Sequence, residues 1–196
     1  MNRDFFFAGG GTGGHIYPAI AVAERITRLE PTARVQFLCS GRSIDRRILD
    51  GAGLPWIPLP AQGFSARPGQ VLGFVSSFRQ SYRIARSRIA SGSNPSVVAM
   101  GGFAAAPVAL AARRLRVPMA LINVDLVPGK ANRLIARWAN AIFLQFEETR
   151  RAFARHPERV RVVGCPLRTD FDMPRPERAR RELELDPSKK VLLITG

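Results

Sequence analysis

The stretch "FFFAGGGTGGHIYPAIAVAERI", residues 5–26, decides the fold. An aromatic-rich apolar run meets five glycines in the six positions 9–14, then a histidine, then apolar residues at Ile16, Ala19, Ile20, Ala23 and Ile26. That last spacing draws one buried stripe on a helix, so the segment reads strand, glycine turn, helix. Gly9, Gly11 and Gly14 satisfy G-x-G-x-x-G in this context. Glycine tolerates positive φ and lets the backbone come close to a ligand, and a helix start offers unpaired N–H groups to an anion. A diphosphate is the ligand this favours, because a merely structural turn rarely needs so many glycines. No lysine follows Gly14, which excludes a P-loop nucleotide hydrolase. The second strand ends at Cys39-Ser40-Gly41-Arg42 without the acidic residue that would hold a ribose 2′-hydroxyl, which disfavours NAD. Arg42 suits a 2′-phosphate, so an NADP-binding protein stays as a competitor. His15, at the mouth of the helix, fits a general base and equally a hydrogen-bonding helix-start residue.

Outward from this unit, strand patterns recur at Asp4–Ala8, Arg34–Cys39, Trp56–Leu59, Ser96–Met100, Pro118–Ile122, Ala141–Gln145 and Arg159–Val163. Helical patterns lie between them at His15–Leu29, Ser43–Asp50, Val71–Ala90, Ala104–Leu115, Gly129–Trp138 and Glu147–Arg155. Such alternation predicts an α/β fold, a Rossmann-like parallel sheet with helices on both faces. With 196 residues, 46% of them hydrophobic, the chain has material for one domain and a piece of another.

Three of the 30 basic residues are lysines and the rest arginines; against 15 acidic residues they give a formal charge of +15. An anionic partner is expected: nucleic acid, a phosphate-bearing ligand or an anionic membrane surface. The aromatics do not interleave with the basic residues as base-stacking platforms would, so nucleic acid is disfavoured. Cys39 and Cys165 belong to no disulfide framework or metal-ligand pattern, which fits a reducing cytoplasm. No signal peptide and no run approaching about 20 apolar residues is present, so a soluble or peripheral protein is expected.

In Val71–Ala90, Phe74, Phe78 and Tyr82 recur every four residues beside Val71 and Val75, and Arg79, Arg83, Arg86 and Arg88 supply cationic heads. That pattern suits a helix lying on an anionic bilayer; a core-facing helix with a solvated basic side is the plainer alternative. After Pro174–Pro176 and a charged helical stretch, Lys189–Gly196 reads as a basic lead-in, a strand and the first glycine of a turn. A lone strand cannot bury both faces. The expected division is therefore residues 1–172 as one domain and 173–196 as linker and first strand of a second domain whose remainder is absent.

Three segments resemble the MurG family of glycosyltransferase family 28 in order and spacing. "GGTGGHIYPAIAVAERI" (Gly10–Ile26) is similar to its first motif, "VVAMGGFAAAPVALAARRLRVP" (Val97–Pro118) to its second glycine loop and following helix, and "VRVVGCPLRTDF" (Val160–Phe171) to the segment leading to its interdomain hinge. The resemblance implies a GT-B fold, two Rossmann-like domains facing a cleft, of which this chain is the N-terminal half. The implied activity is inverting transfer of N-acetylglucosamine from UDP-N-acetylglucosamine to undecaprenyl-diphosphate-linked muramyl-pentapeptide, lipid I to lipid II, in peptidoglycan synthesis. It implies no metal and no cofactor, and a peripheral location on the cytoplasmic face of the plasma membrane.

Residue by residue, His15 matches the family's candidate base. Gly10, Gly11, Thr12, Gly13 and Gly14, with Gly101 and Gly102, match the loops that hold the acceptor diphosphate. Arg168 falls on the donor side near the hinge. Where the family usually has His-Glu-Gln-Asn, this chain reads Ile122-Asn123-Val124-Asp125, with Gly129 and Asn132 retained downstream; Asp125 is a shifted substitute among the acceptor contacts. A tyrosine frequent after the second loop is Phe103 here. These departures leave open another lipid-linked acceptor, or a non-catalytic membrane- or partner-binding module. The missing donor loop implies a separate donor-domain chain as a partner.

Overall fold

The computed structural model describes residues 2–63, 68–171 and 176–192. Seven strands, β1 (Asp4–Gly9), β2 (Arg34–Ser40), β3 (Trp56–Leu59), β4 (Ser96–Ala99), β5 (Met119–Asn123), β6 (Ala141–Leu144) and β7 (Val160–Val162), form one sheet. All neighbours pair in parallel, in the order β3-β2-β1-β4-β5-β6-β7. The expected Rossmann-like architecture is what forms.

A parallel sheet covered on both faces needs apolar side chains at successive positions, and the alternation of a strand deals them to two cores. Phe6, Ala8, Leu38, Val97, Ala99 and Leu121 enter one apolar cluster. Their neighbours Phe7, Phe37, Cys39, Val98, Met100 and Ile122 enter the other. Phe7 and Phe37 stack across β1 and β2 with centroids 4.9 Å apart. Helices α1 (Gly13–Leu29) and α2 (Ser43–Gly51) cover the second cluster; α3 (Pro68–Ala90), α4 (Ala105–Leu115) and α5 (Lys130–Ala136) cover the first. The α1 stripe packs as its spacing requires, with Ile16, Ala19, Ile20 and Ala23 buried and Ile26 half-buried. Pro18 lies inside α1 and is buried there; lacking an N–H, it cannot donate to the Gly14 carbonyl one turn back.

Two helical expectations change. The Glu147–Arg155 helix is a 3₁₀ segment, Glu147–Phe153. Its Arg150–Glu147 pair, Nε to Oε1 at 2.6 Å, is spaced i, i+3, which suits three residues per turn. In α3 the aromatic stripe is not the outward face. Steps of four residues advance about 40° on a 3.6-residue helix, so Phe74, Phe78 and Tyr82 drift around it. All three are half-buried, and Tyr82 packs against the core. The residues that point inward include Ser77 and Ser81, whose hydroxyls donate to the carbonyls of Phe74 (3.0 Å) and Ser77 (2.8 Å).

Toward the C-terminus the short helix α6 (Pro176–Glu182) follows the 3₁₀ turn Thr169–Phe171. Pro174 and residues 193–196 of the expected linker and strand lie outside the described residues. Val191 and Leu192 are exposed and unpaired with the sheet.

Candidate functional site

In the strand order, β1 and β4 are neighbours in space, yet the chain leaves β1 for α1 on one face of the sheet and β4 for α4 on the other. A crevice opens at the carboxyl ends of strands where the winding reverses, and ligands of open α/β sheets bind there. Both glycine loops lie at this point. Gly10, Gly11, Gly101 and Gly102 have φ of 118°, 95°, 96° and 77°. At Gly102 glycine is required twice over: its φ is in the left-handed region, and a Cβ would lie 2.8 Å from the Gly10 carbonyl oxygen. The two loops therefore touch backbone to backbone. A Cβ on Gly101 would collide with the amide of Asn132.

Thr12 is the N-cap residue of α1 but makes no capping bond; its hydroxyl faces His15 Nδ1 at 3.0 Å. Gly13 and Gly14 form the first turn of the helix. On its other side His15 Nε2 lies 3.4 Å from Asp125 Oδ2, with the imidazole 16% and the carboxylate 42% exposed. Asp125 is held in place from behind. Asn123, at the end of β5, donates from Nδ2 to the Asp125 carbonyl at 2.6 Å, and Thr149 Oγ1 donates to the next carbonyl, of Leu126, at 3.0 Å. Asn132 Nδ2 donates to Asn123 Oδ1 at 2.7 Å. The order of donors along this chain turns Asn132 Oδ1 toward Gly101, buried and without a partner. Thr12, His15, Asp125, Asn123, Asn132 and the Gly101 loop thus form one connected polar set.

Sequence reasoning missed the buttress under the first loop. Asp45, fully buried in the first turn of α2, accepts the Gly11 N–H on both carboxylate oxygens at 2.9 Å and also the Ser40 hydroxyl. Cys39, beside it, is inert as a thiol: burial, and then the charge of Asp45, push its pKa up to about 12. Arg42 reaches over the same loop. Its Nη1 donates to the Gly11 carbonyl at 3.2 Å, and its guanidinium carbon lies 4.9 Å from the centroid of the Phe103 ring in the second loop. Nothing local in the sequence links Asp45 to Gly11, 34 positions apart.

The remaining predicted residues are elsewhere. Arg168 Nε meets Glu24 Oε1 at 3.4 Å on α1, and Thr169 donates to Glu24 Oε2 from its N–H at 3.0 Å. On α3, Arg79 and Arg83 are exposed and line a groove of about 470 Å³ with Tyr82, Arg86 and Leu115. Leu72 and Val75, 78% and 44% exposed, continue the same helix face. No helix among the described residues is long and apolar enough to cross a membrane. Nor do three or more His, Cys, Asp or Glu side chains among them gather as a metal site.

A family model described as the Glycosyltransferase family 28 N-terminal domain matches residues 5–144. A UDP-N-acetylglucosamine--N-acetylmuramyl-(pentapeptide) pyrophosphoryl-undecaprenol N-acetylglucosamine transferase of Clavibacter sepedonicus is 37% identical, aligning 98% of this chain with 52% of its own. The protein of the same description from Symbiobacterium thermophilum is 34% identical over 98% of this chain and 51% of its own. The chain spans about half the length of these curated relatives. Among solved structures, MurG of Acinetobacter baumannii has a TM-score of 0.64 at 23% identity, covering 88% of this chain and 48% of that one. A UDP-GlcNAc 2-epimerase from Neisseria meningitidis has a TM-score of 0.62 at 15% identity, over 84% and 46%. At these identities the structural matches speak for the fold alone.

Proposed function

This chain belongs to glycosyltransferase family 28, and on that premise we propose that it supplies the acceptor half of an inverting N-acetylglucosaminyltransferase. The donor is UDP-N-acetylglucosamine and the acceptor is undecaprenyl-diphosphate-linked muramyl-pentapeptide, as the names of the relatives suggest. The observation that carries the reading is the meeting of His15 with Asp125 at the point where the winding reverses.

In the proposed reaction the acceptor hydroxyl oxygen attacks the anomeric carbon of the donor sugar, the bond to UDP breaks, and the hydroxyl proton passes to His15 Nε2. This requires Nδ1–H to be donated to the Thr12 hydroxyl, 3.0 Å away, so that Nε2 is left free to accept the proton. Asp125 then faces the imidazolium across 3.4 Å and stabilises the charge that has formed. Asn132, bonded through Asn123 to the segment that carries Asp125, steadies that side of the acceptor site. No step calls for a metal or a cofactor.

Residues 1–172 form the acceptor domain in this reading, and 173–196 lead toward a donor domain, carried by this or a separate chain, with Arg168 at the hinge. The domain works as a peripheral protein on the cytoplasmic face of the plasma membrane. Leu72 and Val75 enter the interface and Arg79, Arg83 and Arg86 meet anionic headgroups; Phe74, Phe78 and Tyr82 support that face from beneath.

The test is transfer of labelled N-acetylglucosamine to the lipid-linked muramyl acceptor by this chain, alone and after addition of the C-terminal half of a relative. Turnover that His15→Ala abolishes supports the reading. A folded mixture that binds donor yet transfers nothing to this acceptor overturns it, and transfer to another polyprenyl-diphosphate sugar assigns a different acceptor.

A further inference from the structure

We infer that Arg42 is the residue that receives the acceptor's diphosphate, and that Asp45 directs the anion there by occupying the first glycine loop from beneath. This rests on the acceptor-binding reading above and deepens it. A glycine-rich loop ordinarily serves a phosphate with its own N–H groups. Here the Gly11 N–H is already taken by both oxygens of the buried Asp45 carboxylate. A diphosphate approaching that N–H would meet a carboxylate behind it, so the first loop offers one backbone donor fewer.

The cation above the loop reverses this. Arg42 is exposed, and one of its five N–H donors is engaged, by the Gly11 carbonyl. Its guanidinium carbon lies 4.9 Å from the centroid of the Phe103 ring, so a flat, two-pronged donor sits between the first loop and the second. Phosphate oxygens match that fork geometry, and pre-orientation reduces the freedom lost on binding. Asp45 and Arg42 thus grip Gly11 from opposite sides, one on its N–H and one on its C=O.

The measurement is calorimetric titration of this chain with geranyl diphosphate and, separately, with UDP, at fixed ionic strength. Removing a charge-assisted, two-pronged contact should weaken geranyl diphosphate roughly 10- to 100-fold in Arg42→Ala. Arg42→Lys restores only part of the affinity, since lysine lacks the fork and the stack, and Phe103→Leu loses about threefold, the lower end of what a cation–π contact supplies. Arg47→Ala, an exposed neighbour on α2, reports the general effect of positive charge and should leave affinity nearly unchanged. An unchanged melting temperature in Arg42→Ala establishes that the fold is intact.

Equal losses in Arg42→Ala and Arg47→Ala would overturn the inference, as would an Arg42→Ala variant that binds like the parent or loses affinity for UDP alone. A parent chain that binds no prenyl diphosphate at all would instead overturn the acceptor-binding reading itself.

Discussion

Two buried aspartates stand at opposite ends of the sheet and are treated in opposite ways. Asp4, at the start of β1, is neutralised: Arg34 Nε and Nη2 donate to it at 2.7 and 2.8 Å, and the Ser93 N–H adds a bond at 2.7 Å. Burial alone would raise its pKa, but these partners outweigh burial and hold it below the ordinary aspartate value. Asp45, beyond the other end of β1, accepts an N–H and a hydroxyl, and Arg42 bonds the carbonyl of the same Gly11 whose N–H it holds. The contrast teaches where the fold spends charge on stability and where it keeps charge available for a ligand.

The sharpest way to break this comparison is to exchange the roles of the ends. With a donor half supplied, His15→Ala should lower kcat about 10²- to 10⁴-fold, the usual contribution of general base catalysis, while the melting temperature stays put. Asp4→Ala should do the reverse, keeping turnover in the folded fraction. Equal losses of stability in both would erase the distinction. Next in size, Gly102→Ala should cost about 1–3 kcal/mol in urea unfolding from a side chain in the left-handed region, with more from the contact to the Gly10 carbonyl.

Asp45→Ala should cost about 1–3 kcal/mol by stranding the buried Gly11 N–H and Ser40 hydroxyl, and Asp4→Ala should cost less, because its donors Arg34 and Ser93 are exposed to water. The folded-state pKa of Asp4 is depressed, so its contribution is fully present above the unfolded value of about 3.9 and disappears as pH falls through the lower folded value. Asp4→Asn should therefore flatten the loss of stability below about pH 4, a readout by thermal melts across acid pH. The smallest effect per residue lies far from both ends. Arg79→Glu with Arg83→Glu should weaken binding to phosphatidylserine vesicles by about 1 kcal/mol for each basic charge lost, leaving the melting temperature unmoved; unaltered vesicle binding would put the membrane face elsewhere.

The sequence made the sheet legible because each buried strand is a short apolar run between turn residues, and Trp56–Leu59 is read to the residue. The glycine loops were legible for a similar reason, since positive φ at Gly10, Gly11, Gly101 and Gly102 leaves a compositional mark. What stayed hidden depends on distance in sequence. Asp45 looks like any acidic residue in a first helical turn until the loop is laid over it, and Phe103 looks like packing until Arg42 arrives on its face. The burial of the α3 aromatics was less legible, because a spacing of four resembles a stripe in letters but drifts in three dimensions, and the buried serines beside them satisfy themselves on their own helix.

The grip of Glu24 on Arg168 and Thr169 has a mechanical consequence. It clamps the outgoing segment onto α1, the rod that carries His15 at its opposite end, nine residues and about 14 Å away at 1.5 Å per residue. The outgoing segment and the imidazole are therefore anchored on one helix, with Pro18 between them.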